Sequence, residues 1–343
     1  MTAHRVTVCV PTYNKAPLLE TSLRSILAQT FSDFKLIVID DQSADATREV
    51  VAALNDSRIR YVRNASNLGL TANWNRSLDL ALDEPGPYIA IYHDDDYYAP
   101  TMLEREVDFL EKHSRAGFVH TAQFYYNEVE RRYSLRQPYP YDRMLNALEL
   151  LDDLYRKGIY HIATPSVLAR KDAYSKAGRF DLVFKICPDL DLWWRMLDQY
   201  EMGYIAEPLF IQRIHRRQVS SSSQAFANAM TQNEPMMVLE GALQRLSKKH
   251  ADLNFDKYRA AARHYCAKQI LFVAKDALLT ANTIVLRDAC SGALRLSSAR
   301  DIYISTLLLR SLNNSLGRRV MSVAIKMSRA FRESSQPSPS LMS

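Results

Sequence analysis

Short apolar runs alternate with amphipathic segments over the first third of the chain. The run Val6–Val10 is rich in β-branched residues and ends at Pro11, and Lys35–Asp40 is a second apolar run. Between them, Leu18–Gln29 has apolar side chains at the spacing of one helix face. A strand, a helix and a strand in this order predict a βαβ unit, which implies a parallel and buried sheet. The alternation continues with predicted helices at 45–54, 71–82 and 101–112 and predicted strands at 58–62 and 88–92.

Residues 1–115 are therefore predicted to form a doubly wound α/β half. Residues 116–224 are mixed, residues 225–333 carry helical patterns almost throughout, and we expect the tail 334–343 to be disordered. The predicted fold class is thus α/β, with a mainly parallel sheet that continues into the second half and a helical C-terminal segment. In the second half, strands are predicted at 117–122, 165–168 and 204–206, and a helix is predicted at 191–199.

Polar and acidic residues follow four of the predicted strands. In doubly wound sheets, ligands bind outside the carboxyl ends of the strands, so these segments are expected to meet at one edge. The sequence therefore predicts a polar and acidic binding edge in the first half of the chain. The four segments are Pro11–Asn14, Asp40–Ser43, Asn64–Gly69 and His93–Asp96.

The nine glycines are too dispersed to form a phosphate-binding loop, since neither G-x-G-x-x-G nor G-x-x-x-x-G-K-[ST] occurs. Asp94, Asp95 and Asp96 end an apolar strand, and adjacent carboxylates repel one another unless a cation lies between them. Oxygen-rich sites of this kind suit Mg²⁺ or Mn²⁺, which could in turn neutralise a phosphate. The alternative is a solvated loop whose last aspartate caps the helix after Pro100.

Four further residues could take part in chemistry, and each also has a structural interpretation. Asp41 could accept a hydrogen bond from a nucleotide, or this part of the chain could cap the following helix. Asp189 and Asp191 precede a predicted amphipathic helix, so one could cap it while the other serves as a general base. His215 alone is more often structural, and its basic neighbours could contact a diphosphate or form surface charge. These neighbours are Arg213, Arg216 and Arg217.

Charge is distributed unevenly along the chain. The net charge is +6, but residues 225–343 carry 17 Lys and Arg against 8 Asp and Glu, which leaves residues 1–224 slightly acidic. This distribution argues against nucleic acid as the partner of the main domain. Residues 302–332 combine an apolar face with cations, which suits an interfacial helix on an anionic membrane. The alternative is packing on the main domain or on a second protomer in a homo-oligomer.

The four cysteines are scattered and form no C-x-x-C pair, as expected of reduced thiols rather than of a disulfide framework or a zinc site. The N-terminus lacks the apolar region of a signal peptide, and no stretch is apolar enough to predict a spanning helix. We therefore expect a cytoplasmic protein, peripheral on the cytoplasmic face of the inner membrane if 302–332 binds lipid.

Taken together, these segments resemble the inverting family-2 glycosyltransferases of the GT-A fold. The resemblance covers residues 5–220 in order and spacing, and its N-terminal string and acidic triplet are highly specific together. The matching strings are VCVPTYNKAPLLETSLRSILAQTFSDFKLIVIDDQSADAT, NLGLTANWNRSLDLA, IYHDDDYYAP, PDLDLWWRM and RIHRRQVSS.

The resemblance implies a metal-dependent enzyme that moves a sugar, with inversion, from a nucleotide-diphosphate sugar to a hydroxyl of a glycan or lipid-linked glycan. Such enzymes act in cell-surface polysaccharide biosynthesis, and a UDP-sugar is the expected donor. Residues 1–115 would bind the nucleotide-sugar, and residues 116–224 would bind the acceptor and carry the catalytic base. The implied nucleotide contacts are Pro11, Thr12, Tyr13, Asn14, Asp41, Asn67, Asn75, Asp94 and Asp95.

The resemblance also assigns the chemistry. Asp189 corresponds to the catalytic base, with Asp191 as a substitute because Pro188 stands where the family more often has Gly or Glu. Trp74 stands where many relatives have Arg, so one diphosphate contact is absent from the pattern. The implied cofactor is Mn²⁺ or Mg²⁺, with ligands at Asp96, Asp94 and His215.

Two alternatives have the same α/β layout. A sugar nucleotidylyltransferase would need a glycine-rich, basic loop in the first βα turn, where this chain has PTYNKAPLL. A non-catalytic nucleotide-binding or scaffold protein of the same fold would have no need of a base, so the intact acidic triplet and Asp189 argue against it.

Overall fold

The structure is a computed structural model that describes residues 4–158, 162–215, 233–279, 282–313 and 318. The chain divides into two compact units. The first comprises Met1–Leu150 and Ile159–His215, and the second comprises Leu151–Gly158 and Arg216–Ser343.

Ten strands of the described residues form one sheet in the first unit. They are β1 (Val6–Thr12), β2 (Phe34–Asp40), β3 (Ile59–Arg63), β4 (Tyr88–Ile91), β5 (Tyr97–Tyr98), β6 (Ala116–Asn127), β7 (Arg132–Arg136), β8 (Arg143–Leu145), β9 (Leu168–Arg170) and β10 (Glu201–Ile214). The order is β3-β2-β1-β4-β9-β6-β10-β5, with β7 paired to β6 and β8 to β10. β1 to β4 are parallel, as are β6 and β10, whereas β9 runs antiparallel to both of its neighbours. The predicted α/β class is confirmed.

β1 is buried throughout and β2 at all positions but Lys35, so both faces of these parallel strands are covered, as a parallel sheet requires. The helices of the first unit are α1 (Ala16–Leu27), α2 (Thr47–Ala53), α3 (Leu70–Asp83), α4 (Met102–Lys112), α6 (Lys171–Ala177) and α7 (Pro188–Met196), and α5 (Ala147–Lys157) has residues in both units. The apolar faces of α1 and α4 lie in the same core as β1 and β2. The register pairs Thr12 with Asp40 and Asp40 with Arg63, so the carboxyl ends of β1, β2 and β3 lie level at one edge.

The structure corrects three expectations for the second half. The predicted strand 165–168 is a 3₁₀ turn at Thr164–Ser166 followed by β9, because the fixed φ of Pro165 suits a helical turn and proline has no N–H for a ladder. β6 and β10 are much longer than predicted, and β10 passes Pro208 through register shifts. The helix predicted at 191–199 starts earlier, at Pro188, since proline is favoured in the first turn.

The described part of the second unit is helical. Its helices after α5 are α8 (Glu234–Lys249), α9 (Asp256–Leu279), α10 (Thr283–Leu296) and α11 (Arg300–Ser311). α9 packs against α8, α10 and α11, and the Tyr258 hydroxyl donates a hydrogen bond to Asp152 over 2.7 Å. In the parts of the chain that the structure describes, none of the helices has the length and apolar character needed to cross a bilayer.

α11 has apolar residues on two sides. Ile302 and Leu309 are buried, whereas the other side exposes four large apolar side chains. Of the predicted interfacial segment 302–332, only 302–313 and 318 belong to the described residues, and the tail 334–343 lies outside them. The membrane-binding role therefore stays a prediction. The exposed side chains are Tyr303, Ile304, Leu307 and Leu308.

Gly203 allows β10 to lie against α4. A Cβ at this position would overlap the Phe109 ring and lie 3.0 Å from Val119. We expect Gly203→Ala to lower the free energy of unfolding by about 1–3 kcal/mol through overpacking, measured by chemical denaturation. In the Phe109→Leu background, Gly203→Ala should lower the free energy of unfolding by less, because the aromatic ring that overlaps the new Cβ is absent. An equal cost in both backgrounds would contradict this account.

Candidate active site

Side chains connect the loops at the carboxyl ends of β1 and β2. The Asn14 carboxamide oxygen accepts a hydrogen bond from the Ala44 N–H over 2.8 Å, and the Asn14 N–H donates to the Ser43 hydroxyl over 2.9 Å. The Ala16 N–H, at the start of α1, donates to Asp45. Asn14 has a φ of 52°, a conformation that asparagine tolerates better than most residues. The predicted meeting of these two strand ends is therefore present.

Asp41 organises the loop after β3. Its carboxylate accepts hydrogen bonds from the Asn64 side chain and from the Leu68 N–H, both over 2.8 Å, and from the Gly69 N–H over 2.9 Å. Gly69 has a φ of 82°, which favours glycine, and it precedes α3. Helix α2 begins after Ala46, so neither Asp40 nor Asp41 caps it. The contact of Asp41 with a nucleotide base stays a prediction.

The three carboxylates after β4 are buried. The exposed fractions of Asp94, Asp95 and Asp96 are 9%, 6% and 1%. The alternative of a solvated loop is therefore wrong, and N-capping is wrong too, since α4 begins after Thr101 with no side-chain cap. Burying three adjacent carboxylates is costly unless cations or hydrogen-bond donors compensate them.

Three basic residues supply part of this compensation. The Lys15 ammonium lies 2.5 Å from Asp95 Oδ2 and 3.9 Å from Asp94 Oδ1. His215 Nε2 lies 3.0 Å from the same Asp95 oxygen. The Arg213 N–H donates to Asp96 over 3.0 Å, and its guanidinium donates to the Asp95 carbonyl oxygen. Arg213 is thus part of the site rather than surface charge.

The carboxyl groups differ in acidity because their partners differ. Burial alone would raise the pKa of Asp95, but the His215 hydrogen bond and the Lys15 charge hold it well below its usual range. Burial and the charge of Asp95 raise the pKa of Asp94 to about 6. Burial is also the main cause that raises the pKa of Asp96 well above its usual range.

His93, Asp95 and Asp96 could hold a divalent cation. Each offers a ligand atom, and these atoms all lie within 4.8 Å of one another. Among the described residues, Asp96 Oδ2 and His93 Nε2 are buried without a hydrogen-bond partner, as expected of groups that await a ligand. Burial lowers the pKa of His93, which favours the neutral imidazole that binds metals. A mixed nitrogen and carboxylate donor set fits Mn²⁺ and, with added water ligands, Mg²⁺.

This cluster differs in part from the predicted ligand set. Asp96 is common to both, whereas Asp94 lies outside the cluster and His215 contacts Asp95 as a hydrogen-bond partner. The predicted metal roles of Asp94 and His215 stay predictions. Sequence reasoning placed His93 at the binding edge but did not name it as a metal ligand, and it missed Lys15. The available signals were the position of His93 next to the acidic triplet and of Lys15 directly after Asn14.

We refer to His93–Asp96, which follow β4, as the acidic turn, and α3 connects this turn to the segment that precedes α7. Trp74 stacks on the His93 ring with centroids 5.8 Å apart, and its edge contacts Phe180 at 5.3 Å. The Asn75 carboxamide exchanges two hydrogen bonds of 2.9 Å with the Phe180 backbone. Asn67 similarly donates to the Asp41 carbonyl oxygen over 3.0 Å. The side chains of Asn67 and Asn75 therefore brace loops, and their nucleotide contacts stay predictions.

The remaining predicted nucleotide contacts lie where β1 ends. Pro11 and Thr12 are buried in the last residues of β1, whereas Tyr13 is 49% exposed just beyond it. They are next to the Asn14 and Lys15 contacts described above. The predicted nucleotide residues that follow β1 and β2 thus lie at one edge of the sheet, and their contacts to a nucleotide stay predictions.

Asp189 and Asp191 have different surroundings in the first turn of α7. The Thr164 hydroxyl donates to Asp189 over 2.7 Å and accepts from the Trp193 indole N–H over 3.0 Å. Burial raises the pKa of Asp189. Asp191 is buried in an ion pair with Arg195, with nitrogen and oxygen 2.8 Å apart. Asp189 is therefore the better placed of the two to accept a proton, and its role as base stays a prediction.

Comparison with known proteins defines the class of protein to which this chain belongs. The family model described as "Glycosyl transferase family 2" matches residues 7–178. EpsE of Bacillus subtilis (strain 168), named as a glycosyltransferase, is 30% identical over 209 residues, which are 58% of this chain and 69% of EpsE. The chain belongs to glycosyl transferase family 2, and it is therefore classed as an enzyme of glycosyl transfer.

Two further proteins are similar to this chain, one in sequence over a shorter stretch and the other in structure. WfgD of Escherichia coli, named UDP-Glc:alpha-D-GlcNAc-diphosphoundecaprenol beta-1,3-glucosyltransferase, is 32% identical over 114 residues, 33% of this chain and 44% of WfgD. The crystal structure of S. aureus TarS 1-349 in complex with UDP-GlcNAc matches with a TM-score of 0.62 at 15% identity, over 94% of this chain and 92% of that one. This structural likeness shows the shared GT-A fold.

Lys15 is expected to act as the counter-ion of the acidic turn when no metal is bound. Lys15→Met should lower the free energy of unfolding in metal-free buffer by about 3 kcal/mol, because it removes the ammonium group that lies between the buried Asp94 and Asp95 carboxylates. Excess MnCl₂ should then stabilise the variant more than the wild type, since the divalent cation no longer competes with an ammonium group. Chemical denaturation with and without MnCl₂ measures both effects.

Lys35→Met is the matched control. Lys35 also forms a partly buried ion pair, with Glu84 at 2.8 Å. Its loss should destabilise the protein, but MnCl₂ should not restore more stability than in the wild type. Equal stabilisation of all three proteins by MnCl₂ would count against the counter-ion role of Lys15.

Proposed function

We propose that this chain is a metal-dependent, inverting glycosyltransferase that uses a nucleoside-diphosphate sugar, with UDP-sugars as the first choice. Its acceptor is a hydroxyl of a glycan or lipid-linked glycan in cell-surface polysaccharide biosynthesis. The observation that carries the proposal is the buried acidic turn at the carboxyl edge of the parallel sheet, where His93, Asp95 and Asp96 converge. A protein that only binds a sugar or another protein would not need such a costly cluster of charge.

The strand-end loops support a nucleotide donor. They converge where ligands bind in doubly wound sheets, and Tyr13 lies partly exposed among them. Lys15 and Arg213 add positive charge next to the acidic turn, which suits a diphosphate although Trp74 replaces the commoner arginine. WfgD is named for a UDP-sugar, and the similar TarS fold has been solved with UDP-GlcNAc.

The metal would be Mn²⁺ or Mg²⁺, held by His93, Asp95 and Asp96. Bound there, it would stabilise the negative charge that develops on the leaving diphosphate. Lys15 and His215 share one Asp95 oxygen and thereby orient that carboxylate. Trp74 restricts the His93 ring by stacking, so two of the three ligands are held before the metal arrives.

Asp189 is the proposed general base. Its carboxylate is oriented by Thr164, which is in turn fixed by Trp193. The base needs to take the acceptor proton only as the new bond forms, so a carboxylate with a raised pKa is adequate. One base and no enzyme nucleophile imply direct displacement, which inverts the anomeric carbon.

The proposed acceptor class and location rest on relatives. WfgD is named for an acceptor linked to diphosphoundecaprenol. We therefore place this enzyme in the cytoplasm, with a peripheral position at the cytoplasmic face of the inner membrane, where a lipid-linked acceptor would be reached. The exposed apolar side of α11 is compatible with that position.

Donor hydrolysis tests the proposal. With a panel of UDP-, GDP- and dTDP-sugars, the wild type should release the nucleoside diphosphate slowly in the presence of Mn²⁺ and more slowly after chelation. Asp189→Asn should lower this rate by about 10²–10⁴-fold while keeping its affinity for the nucleoside diphosphate, because it loses only the base. Asp96→Asn should lose the Mn²⁺-dependent part of both binding and rate.

Asp172→Asn provides the control for these variants, since Asp172 is an exposed carboxylate on α6. It should behave as the wild type. Equal hydrolysis by all four proteins would remove the catalytic assignment. Nucleotide binding without turnover of any donor would favour the non-catalytic alternative.

The pH dependence of this reaction should report Asp189. Activity is lost as pH falls through the pKa of a base, so the raised pKa of Asp189 places this acidic limb above that of an ordinary aspartate. Thr164→Ala removes a hydrogen bond that stabilises the charged carboxylate, so the limb should move to higher pH. Thr164→Ser keeps the hydroxyl and should keep the profile. An unmoved limb in Thr164→Ala would exclude Asp189 as the titrating base.

A further inference from the structure

Three aromatic side chains gather on the hairpin formed by β6 and β7. Tyr126 pairs with Tyr133 across the two strands, and their rings lie 4.6 Å apart with an interplanar angle of 31°. Phe124 meets the Tyr133 ring edge-on, with centroids 6.4 Å apart. All three side chains remain partly exposed among the described residues. We refer to Phe124, Tyr126 and Tyr133 as the aromatic platform.

One strand, β10, connects the aromatic platform to the acidic turn. β10 pairs with β6 in parallel, and Arg213 is the register partner of Tyr126. The Arg213 N–H donates to Asp96, and His215, two residues further on, contacts Asp95. The aromatic platform is therefore one strand away from the residues proposed to hold the metal and the diphosphate.

This position is on the opposite side of the acidic turn from the proposed donor loops. Those loops follow β1, β2 and β3, which lie on one side of β4 in the sheet order. β6 and β10 lie on the other side, beyond β9. A hydroxyl that attacks a donor held by the first group must approach from elsewhere, and the edge at β6 and β10 is adjacent to the same turn.

The chemistry of the aromatic platform suits a pyranose ring. Aromatic faces provide apolar contact for the C–H face of a sugar, and tyrosine hydroxyls can exchange hydrogen bonds with sugar hydroxyls. Rigid aromatic side chains also give contact area at low entropic cost. A cluster with only a packing role would be expected to be fully buried, as Tyr88, Tyr92 and Tyr98 are in the core of the same unit.

We propose that the aromatic platform is the acceptor-sugar subsite of this enzyme. It binds a pyranose ring of the acceptor glycan and presents its hydroxyl side toward the acidic turn. This inference rests on the proposed function, because it assumes that a sugar is transferred from a donor bound at the strand-end loops.

Saturation-transfer difference NMR tests the proposal, with UDP and Mg²⁺ present so that no paramagnetic ion disturbs the signals. The probes are methyl N-acetyl-α-glucosaminide, chitobiose and laminaribiose. We expect the wild type to transfer saturation to at least one of these sugars. Tyr126→Ala and Tyr133→Ala should weaken the affinity for that sugar at least about fivefold, which corresponds to about 1 kcal/mol.

Conservative variants separate ring contact from folding. Tyr133→Phe keeps the aromatic face and should retain most of the sugar binding, whereas Tyr133→Leu keeps apolar bulk without that face and should lose it. Tyr141→Ala removes an exposed tyrosine outside the hairpin and should bind as the wild type does. Affinity for UDP, measured by calorimetry, should be unchanged in every variant.

The outcomes distinguish this proposal from the proposed function. A wild type that binds UDP but transfers saturation to none of the sugars overturns the acceptor subsite alone. Unchanged sugar binding in Tyr133→Ala and Tyr133→Leu overturns it as well, because the aromatic platform would then not contact the sugar. Loss of UDP affinity in either variant also overturns it, because the aromatic platform would then be part of the donor site. A wild type that binds none of UDP, GDP and dTDP, with Mg²⁺ or with Mn²⁺, contradicts the proposed function itself.

Discussion

The burial of three consecutive carboxylates at the end of β4 is the constraint on which the site depends. Desolvation and mutual repulsion oppose this arrangement, so the chain must bring compensating groups to it. Lys15 comes from the loop after β1, and Arg213 and His215 come from the end of β10. These ends belong to opposite sides of the sheet order, so the electrostatic requirement of one turn joins both sides of the first unit.

Differences in ion-pair and hydrogen-bond partners also distinguish carboxylates that are close together in the sequence. Asp189 and Asp191 lie in one helical turn, yet Arg195 neutralises Asp191, whereas Asp189 accepts hydrogen bonds from uncharged donors, the Thr164 hydroxyl and the Leu190 N–H. Likewise Asp95 is surrounded by basic groups, whereas Asp96 keeps one buried oxygen without a hydrogen-bond partner in the described part of the chain. Asp96 Oδ2, which has no hydrogen-bond partner among the described residues, can therefore bind a cation, and Asp189, which has no ion-pair partner there, is the better placed of the two carboxylates of α7 to accept a proton.

Much of the fold could be predicted from local pattern. Alternating apolar runs and amphipathic helices predicted the parallel α/β unit, because burial on both faces requires continuous apolar strands. The second half was harder to predict. β6 and β10 extend well beyond their apolar stretches, since each is stabilised by pairing with the other, and pairing between distant segments leaves no local periodicity. A strand was predicted at 165–168, but Pro165 lies in a 3₁₀ turn, because its fixed φ and missing N–H favour a helical turn over a strand.

For the site, the sequence by itself determined which residue types stand at the strand ends, including the acidic triplet, because strand ends are set by local chemistry. It also placed Asp189 and Asp191 at the start of a helix. Only the tertiary structure decided which of these groups are buried, paired or unpartnered. His93 lies in the ligand cluster and stacks on Trp74, and Asp94 lies 3.9 Å from Lys15, and both contacts involve segments distant in sequence. The pKa of a side chain, and whether its polar atoms already have hydrogen-bond partners, depend on neighbours in space, and sequence spacing does not determine those neighbours.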